Sequence, residues 1–197
     1  MKGTSVNRIL SNAVKIAGSL AVIGGTVVAA AMPAAAAPAT RAWGVSANGF
    51  IHISPVAEAT YFNTPRVASS FTYPSFVTTG GILDRVSATD AYSNVGSPKI
   101  YLGGNLTDQL NASSVMSSCR TILGSKFGFT TIQAGSISEI GLPNIPLPRD
   151  PAINTKIYLP GITVTLNRQT YSGGIRTVTA IYVNSFFQNL SIGVTRC

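Results

Sequence analysis

From residue 42 to residue 196, apolar and polar residues alternate repeatedly, in runs interrupted by proline and glycine. A period of two places apolar side chains on one face of a β-strand, whereas a helix needs them every three or four residues. The clearest run is 175–186, where Ile175, Thr177, Thr179, Ile181 and Val183 alternate with Arg176, Val178, Ala180, Tyr182 and Asn184. Residues 42–54 read as one strand, with Trp43, Val45, Ala47, Ile51 and Ile53 on one face, His52 on the other, and Phe50 out of step. Pro65 and Pro74 bracket a strand at 66–73, and Gly80-Gly81 precedes another at 82–92. Further strands fall at 99–102, 127–134, 153–159, 162–167 and 190–196, with turns at Pro160-Gly161 and Ser172-Gly173-Gly174. Residues 106–119 are the one stretch with weak helical spacing, capped by Thr107 or Asp108. Residues 141–151 hold Pro143, Pro146, Pro148 and Pro151 and read as an extended connection. About nine short strands at this spacing predict an all-β fold, an antiparallel β-sandwich with a β-barrel as the alternative.

The first 36 residues do not share this pattern. Lys2, Arg8 and Lys15 form a basic head, 16–32 is an uncharged run of small and apolar residues, and Ala34-Ala35-Ala36-Ala37 follows. This is the order of a cleaved helical signal peptide. A cut between Ala36 and Ala37 satisfies the small-x-small rule, and a cut after Ala39 is also allowed. The apolar run is shorter than the roughly 20 residues that span hydrocarbon, so no stable transmembrane anchor is expected after cleavage. The expected organisation is a signal peptide at 1–36 and a single β-sandwich domain at 37–197, extracellular and secreted or cell-wall associated. Leu147-Pro148-Arg149-Asp150 loosely resembles a wall-sorting signal, but no apolar tail follows it, so it reads as a proline-rich loop.

Removing Lys2, Arg8 and Lys15 takes lysine plus arginine from 14 to 11 against six acids, a net charge of about +5. The basic residues are scattered singly, unlike the concentrated stripe of a nucleic-acid binder, and no nucleic-acid partner is expected. A weak attraction to an acidic or glycan-bearing cell wall is the more plausible partnership. The two cysteines, Cys119 and Cys197, lie in an exported segment, and compartment and even count favour a disulfide between them over free thiols.

Catalytic signatures are sparse. The sequence has one histidine, His52, and no H-E-x-x-H, G-x-S-x-G or Cys-x-x-Cys motif. No metal, cofactor or catalytic residue is expected, and His52 reads as a solvated strand residue. Asp84 and Asp90 are the only acids sharing a segment. On one strand they would stand about 20 Å apart, too far for a glycosidase pair, and both read as strand-edge charges. Tyr61, Phe62, Phe71, Tyr73, Phe76 and Tyr92 crowd the first half, while Phe127 and Phe129 share a face. Such rings pack sheets together, or stack on glycans when exposed.

The opening Ala42-Trp43-Gly44-Val45-Ser46-Ala47-Asn48-Gly49, the Ser118-Cys119-Arg120 segment and two C-terminal stretches, 159–169 and 192–197, resemble the choice-of-anchor P family of secreted actinobacterial proteins. The resemblance implies an exported β-rich module, adds weight to a Cys119–Cys197 pair, and carries no catalytic residues. The resulting expectation is a non-enzymatic structural or adhesive protein of the cell surface. The alternatives are a secreted hydrolase with a dispersed site, a small ligand-binding or inhibitory module, and a self-assembling coat or pore protein. Secreted material should begin at Ala37, or within about three residues of it. N-terminal sequencing of culture supernatant checks this, and recovery of only full-length, membrane-bound chain would contradict it.

Overall fold

The computed structural model describes residues 40–102, 107–141 and 143–197. The signal-peptide reading and the Ala36/Ala37 cleavage site lie outside the described residues. Along the chain the strands are β1 Arg41–Gly49, β2 Ile53–Val56, β3 Ala59–Thr60, β4 Arg66–Ala68, β5 Phe71–Tyr73, β6 Val77–Thr79, β7 Ile82–Val86, β8 Asp90–Gly96 and β9 Lys99–Tyr101. They continue with β10 Gln109–Asn111, β11 Ser114–Ile122, β12 Ser125–Gln133, β13 Ser136–Ser138, β14 Ile145–Pro146, β15 Thr155–Leu159, β16 Ile162–Ser172, β17 Ile175–Ser185 and β18 Gln188–Arg196.

The fold is all-β, but its 18 described strands form three antiparallel sheets rather than the expected set of about nine. The first sheet has the order β15-β16-β17-β18-β1-β2, with β3 also pairing β1. The second runs β12-β11-β8-β7-β4 and the third β14-β13-β10-β9-β6-β5. Five arms pass between the second and third sheets after a short break: β4 to β5, β6 to β7, β8 to β9, β10 to β11 and β12 to β13. The breaks line up across neighbouring strands at Gly80-Gly81, Ser97-Pro98, Ala112-Ser113 and Ala134-Gly135. Backbone bonds from Gly80 N to Gly96 O (2.7 Å), Ser97 N to Ser113 O (2.9 Å) and Ser113 N to Gln133 O (2.9 Å) stitch the line. Positive φ at Ser97 and Ala134 bends the arms there. Short elements and shared bends account for the larger number: alternation runs through a bend without showing it.

Four expected elements are corrected. The expected strand at 66–73 breaks at Ser69-Ser70 into β4 and β5, which belong to different sheets. Residues 106–119 are not helical where described: β10 and the start of β11 occupy 109–111 and 114–119. Val115, Ser117 and Cys119 alternate inward, and β pairing on both sides of β11 outweighs the weak helical spacing. Residues 42–54 are a hairpin, β1–β2, with the out-of-step Phe50 in its connection. Residues 82–92 are also a hairpin, β7–β8, turned by Ser87-Ala88-Thr89. The Ser87 hydroxyl accepts from the Thr89 and Asp90 amides, the local side-chain-to-backbone bonding that makes serine a turn former.

β1, β17 and β18 of the first sheet pack against β7, β8, β11 and β12 of the second. The main apolar core joins Val45, Leu166, Ile181 and Ile192 to residues of both other sheets, among them Ile82, Val95, Ile100 and Ile137. Across the first sheet, Asn167 (φ 48°) and Gly193 (φ 60°) stand in one row with Ala180 and Gly44. Beside this row period two fails. Val164 to Asn167, Val178 to Ile181 and Ile192 to Thr195 are each four buried residues in succession. Asn167 of β16 and Gly193 of β18 take a positive φ in this row, and β17 carries the same buried run without one. Cys119 of β11 bonds to Cys197, just after β18, with Cα atoms 5.7 Å apart, linking the two layers beside Val178.

The bridge closes a loop of 78 residues, worth about 4.5 kcal/mol in the chain-entropy model. Replacing both cysteines by alanine should lower stability by about 2–5 kcal/mol in urea denaturation. Equal midpoints for the two proteins would contradict this.

Candidate functional site

A cavity of about 740 Å³ opens between the first and third sheets. Its walls are strand residues: Ile162, Val183 and Leu190 from the first sheet, Ile100 from β9, with Leu102 just beyond it. Its mouth is aromatic. Phe50, in the β1–β2 connection, and Phe186 and Phe187, in the β17–β18 turn, are 93%, 90% and 74% exposed. Among the described residues no charged side chain lines the cavity, and its polar groups are few, chiefly Ser75, Tyr101, Ser185 and Gln188.

The mouth is held by one side chain. The Gln188 amide donates to the carbonyls of Ile51 (2.8 Å) and Asn48 (3.2 Å), while its Oε1 accepts from the Ile51 amide (2.7 Å). Phe50 N donates to Phe187 O at 3.1 Å. Gly49, at φ 132°, lies so close to this strand that a Cβ there would stand 2.3 Å from Phe187 O. The two loops are therefore fastened together, and Phe186 and Phe187 stack edge to face at 4.7 Å. Exposed rings on a fastened frame lose little further entropy when they contact a ligand.

His52, Asp84 and Asp90, the acid–base residues singled out from sequence, do not converge. His52 is exposed beside the β1–β2 connection, in a shallow polar depression with Tyr182 and Asn189 and without an acid. Asp84 and Asp90 belong to different strands of one hairpin and point to different environments. Asp90 is exposed and bonds through Oδ1 to Arg120 Nε at 2.6 Å, with the Thr89 hydroxyl on Oδ2 at 3.0 Å. Slight burial raises its pKa, but Arg120, Thr89 and Ser87 outweigh that and hold it below the ordinary carboxylate value. Leu147 to Asp150 is no free signal: Leu147 is buried, its amide donates to Gly135 O, and Asp150 accepts from the Thr131 hydroxyl. Among the described residues no cluster of three or more His, Cys, Asp or Glu could hold a metal ion, and no helix is long and apolar enough to cross a membrane.

Asp84 is not the edge charge it resembled. It is fully buried between the first two sheets, with neither carboxyl oxygen making a hydrogen bond of normal geometry. Cross-strand register sets it in a polar row of the second sheet, Asp84–Ser93–Ser117–Thr130, all buried. Burial pushes its pKa up to about 7, against a smaller downward pull from Ser93 and the Gly44 amide. The Ser93 hydroxyl donates instead to Trp43 O at 3.3 Å. Alternation alone places Asp84 on the inward parity with Ile82 and Val86, a signal overlooked because aspartate is seldom buried.

Comparison with protein-family models, with curated proteins and with solved structures finds no match.

Asp84 binds its proton more tightly in the folded chain. Stability from this group is therefore full below pH 3.8 and is lost as pH rises to about 7, by about 4 kcal/mol in total. Asp84→Asn should flatten this slope and exceed the parent protein in stability at pH 8. Urea denaturation at pH 4, 6 and 8 checks it, and parallel slopes in the two proteins would contradict it.

Proposed function

We propose that the mature chain, 37–197, is a secreted, non-enzymatic β-sandwich module that carries a neutral apolar ligand in the cavity between its first and third sheets. The observation carrying this reading is a cavity of about 740 Å³ in which, among the described residues, the walls hold no charged side chain and few polar groups. That volume falls in the range of about 300–1,000 Å³ typical of small-molecule sites. A ligand of alkyl or isoprenoid character suits such walls, since each buried CH₂ contributes about 0.8 kcal/mol and a charged headgroup would find no partner inside. The lining offers no acid–base pair, and His52 lies elsewhere. The export signal and the resemblance to choice-of-anchor P proteins favour an extracellular or cell-wall location.

A second reading, adhesion or structural assembly at the cell surface, is favoured by the exposure of Phe50, Phe186 and Phe187 at one pair of loop tips. In that case the rings would meet another macromolecule rather than a ligand held inside.

N-phenyl-1-naphthylamine, a neutral apolar probe, should bind the purified mature protein with micromolar affinity and enhanced fluorescence. Ser185→Trp, which plugs the mouth, should weaken it at least ~10-fold, about 1.4 kcal/mol. No enhancement, or equal binding by the plugged variant, would overturn the cavity reading.

A further inference from the structure

The outer face of the second sheet carries a separate constellation. Register aligns Tyr92, Ser118 and Phe129 in one row across β8, β11 and β12, and Asp90, Arg120 and Phe127 in the next. Residues in register share a face, and strands lie about 4.8 Å apart, so Tyr92 and Phe129 stand about 10 Å apart on either side of Ser118. Between them lies a trough of about 440 Å³, walled mainly by Tyr92, Phe127, Phe129 and Ile122, with Ser118, Asp90 and Arg120 as its polar groups. Phe127 and Phe129 are 43% and 61% exposed on the outward parity of β12.

The platform is rigid because its reverse side is pinned. Between Phe127 and Phe129, Gly128 presses on Val178, where a Cβ would lie 2.4 Å from Val178 Cγ2. Between Ser118 and Arg120, Cys119 is tied by the disulfide to Cys197. The Tyr92 hydroxyl is anchored on Met116 Sδ at 3.1 Å. Arg120 spends only Nε on Asp90, and among the described residues its terminal nitrogens have no partner. The pair presents N–H donors and carboxylate lone pairs side by side with no net charge.

We propose that this trough binds a neutral polysaccharide. A pyranose ring presents C–H bonds on its faces and hydroxyls around its rim. The C–H dipoles suit the electron-rich faces of Phe127, Phe129 and Tyr92. The hydroxyls, which both donate and accept, suit Arg120, Asp90 and Ser118 together. An anionic ligand gains little here, because Asp90 already neutralises Arg120. An apolar protein surface would bury that ion pair without replacing its water, which is costly. The site rests on different residues from the apolar cavity and stands or falls independently of it.

Affinity electrophoresis of the purified mature protein through gels containing hydroxyethylcellulose, glycol chitin or mannan tests this. At least one polysaccharide should retard the protein. Phe129→Ala and Arg120→Gln should each weaken the apparent affinity at least ~10-fold, and Tyr158→Ala, an exposed ring on β15 outside both candidate sites, should leave it unchanged. Thermal melts of the same variants check that both surface changes leave the fold intact. Absence of retardation in all three gels, or retardation unaltered in both Phe129→Ala and Arg120→Gln, would overturn the proposal.

Discussion

The close approach of the first two sheets is the contact on which the rest of the molecule depends. At Gly44 a Cβ would stand 2.4 Å from Ile82 Cγ2, and at Gly128 it would stand 2.4 Å from Val178 Cγ2. Neither position tolerates a side chain without displacing its neighbour. With hydrogen alone at both, β1 reaches β7 and β12 reaches β17, and Cys119 comes within bonding range of Cys197. The β12 edge is covered in the same way, since the Gln169 amide donates to Gly128 O at 2.9 Å. One backbone carbonyl of that edge is thereby capped by a side chain.

The bends at Gly80-Gly81, Ser97-Pro98 and Ala134-Gly135 then decide where space remains. They carry the arms of the second sheet into the third, and the third sheet meets the first over larger side chains such as Ile100 and Leu190. The layers are tight at the glycines, while the far ends of β17 and β18 line the cavity. Prolines mark sheet borders consistently: Pro65 precedes β4, Pro74 follows β5, and Pro146 lies in the edge strand β14, where its missing N–H interrupts no inner ladder.

The same tight interface holds a polar row with too few partners. Asp84, Ser117 and Thr130 have side-chain oxygens that are buried and unbonded. Opposite them the first sheet offers small residues; the space beside Gly193 is bounded by Ala180, Val115 and Ser117. A charged Asp84 would be costly there, and a raised pKa is the chain's response. This interior is closed, whereas the two candidate binding surfaces lie elsewhere: one where the layers separate, the other on the outer face whose inner side the disulfide pins.

Alternation by itself determined that the chain is all-β. Turn chemistry placed the connections at Pro160-Gly161 and Ser172-Gly173-Gly174, where Gly161, Gly173 and Gly174 adopt positive φ. Composition and cysteine count pointed to the Cys119–Cys197 bridge, because two cysteines leave one intramolecular pairing. The number of strands, the hairpins hidden in 42–54 and 82–92, and strand pairing where a helix was expected were decided by tertiary structure. A bend preserves period two, and pairing energy overrides weak local spacing. The candidate sites were the least legible. The cavity joins Phe50, Ile100, Ile162 and Phe187 from distant segments, and the outer trough joins Tyr92 to Phe129 only through β11. Sequence recorded that Phe127 and Phe129 share a face. Only the packing of the sheets decided that this face looks outward, because Gly128 between them is the residue that the inner layer can accept.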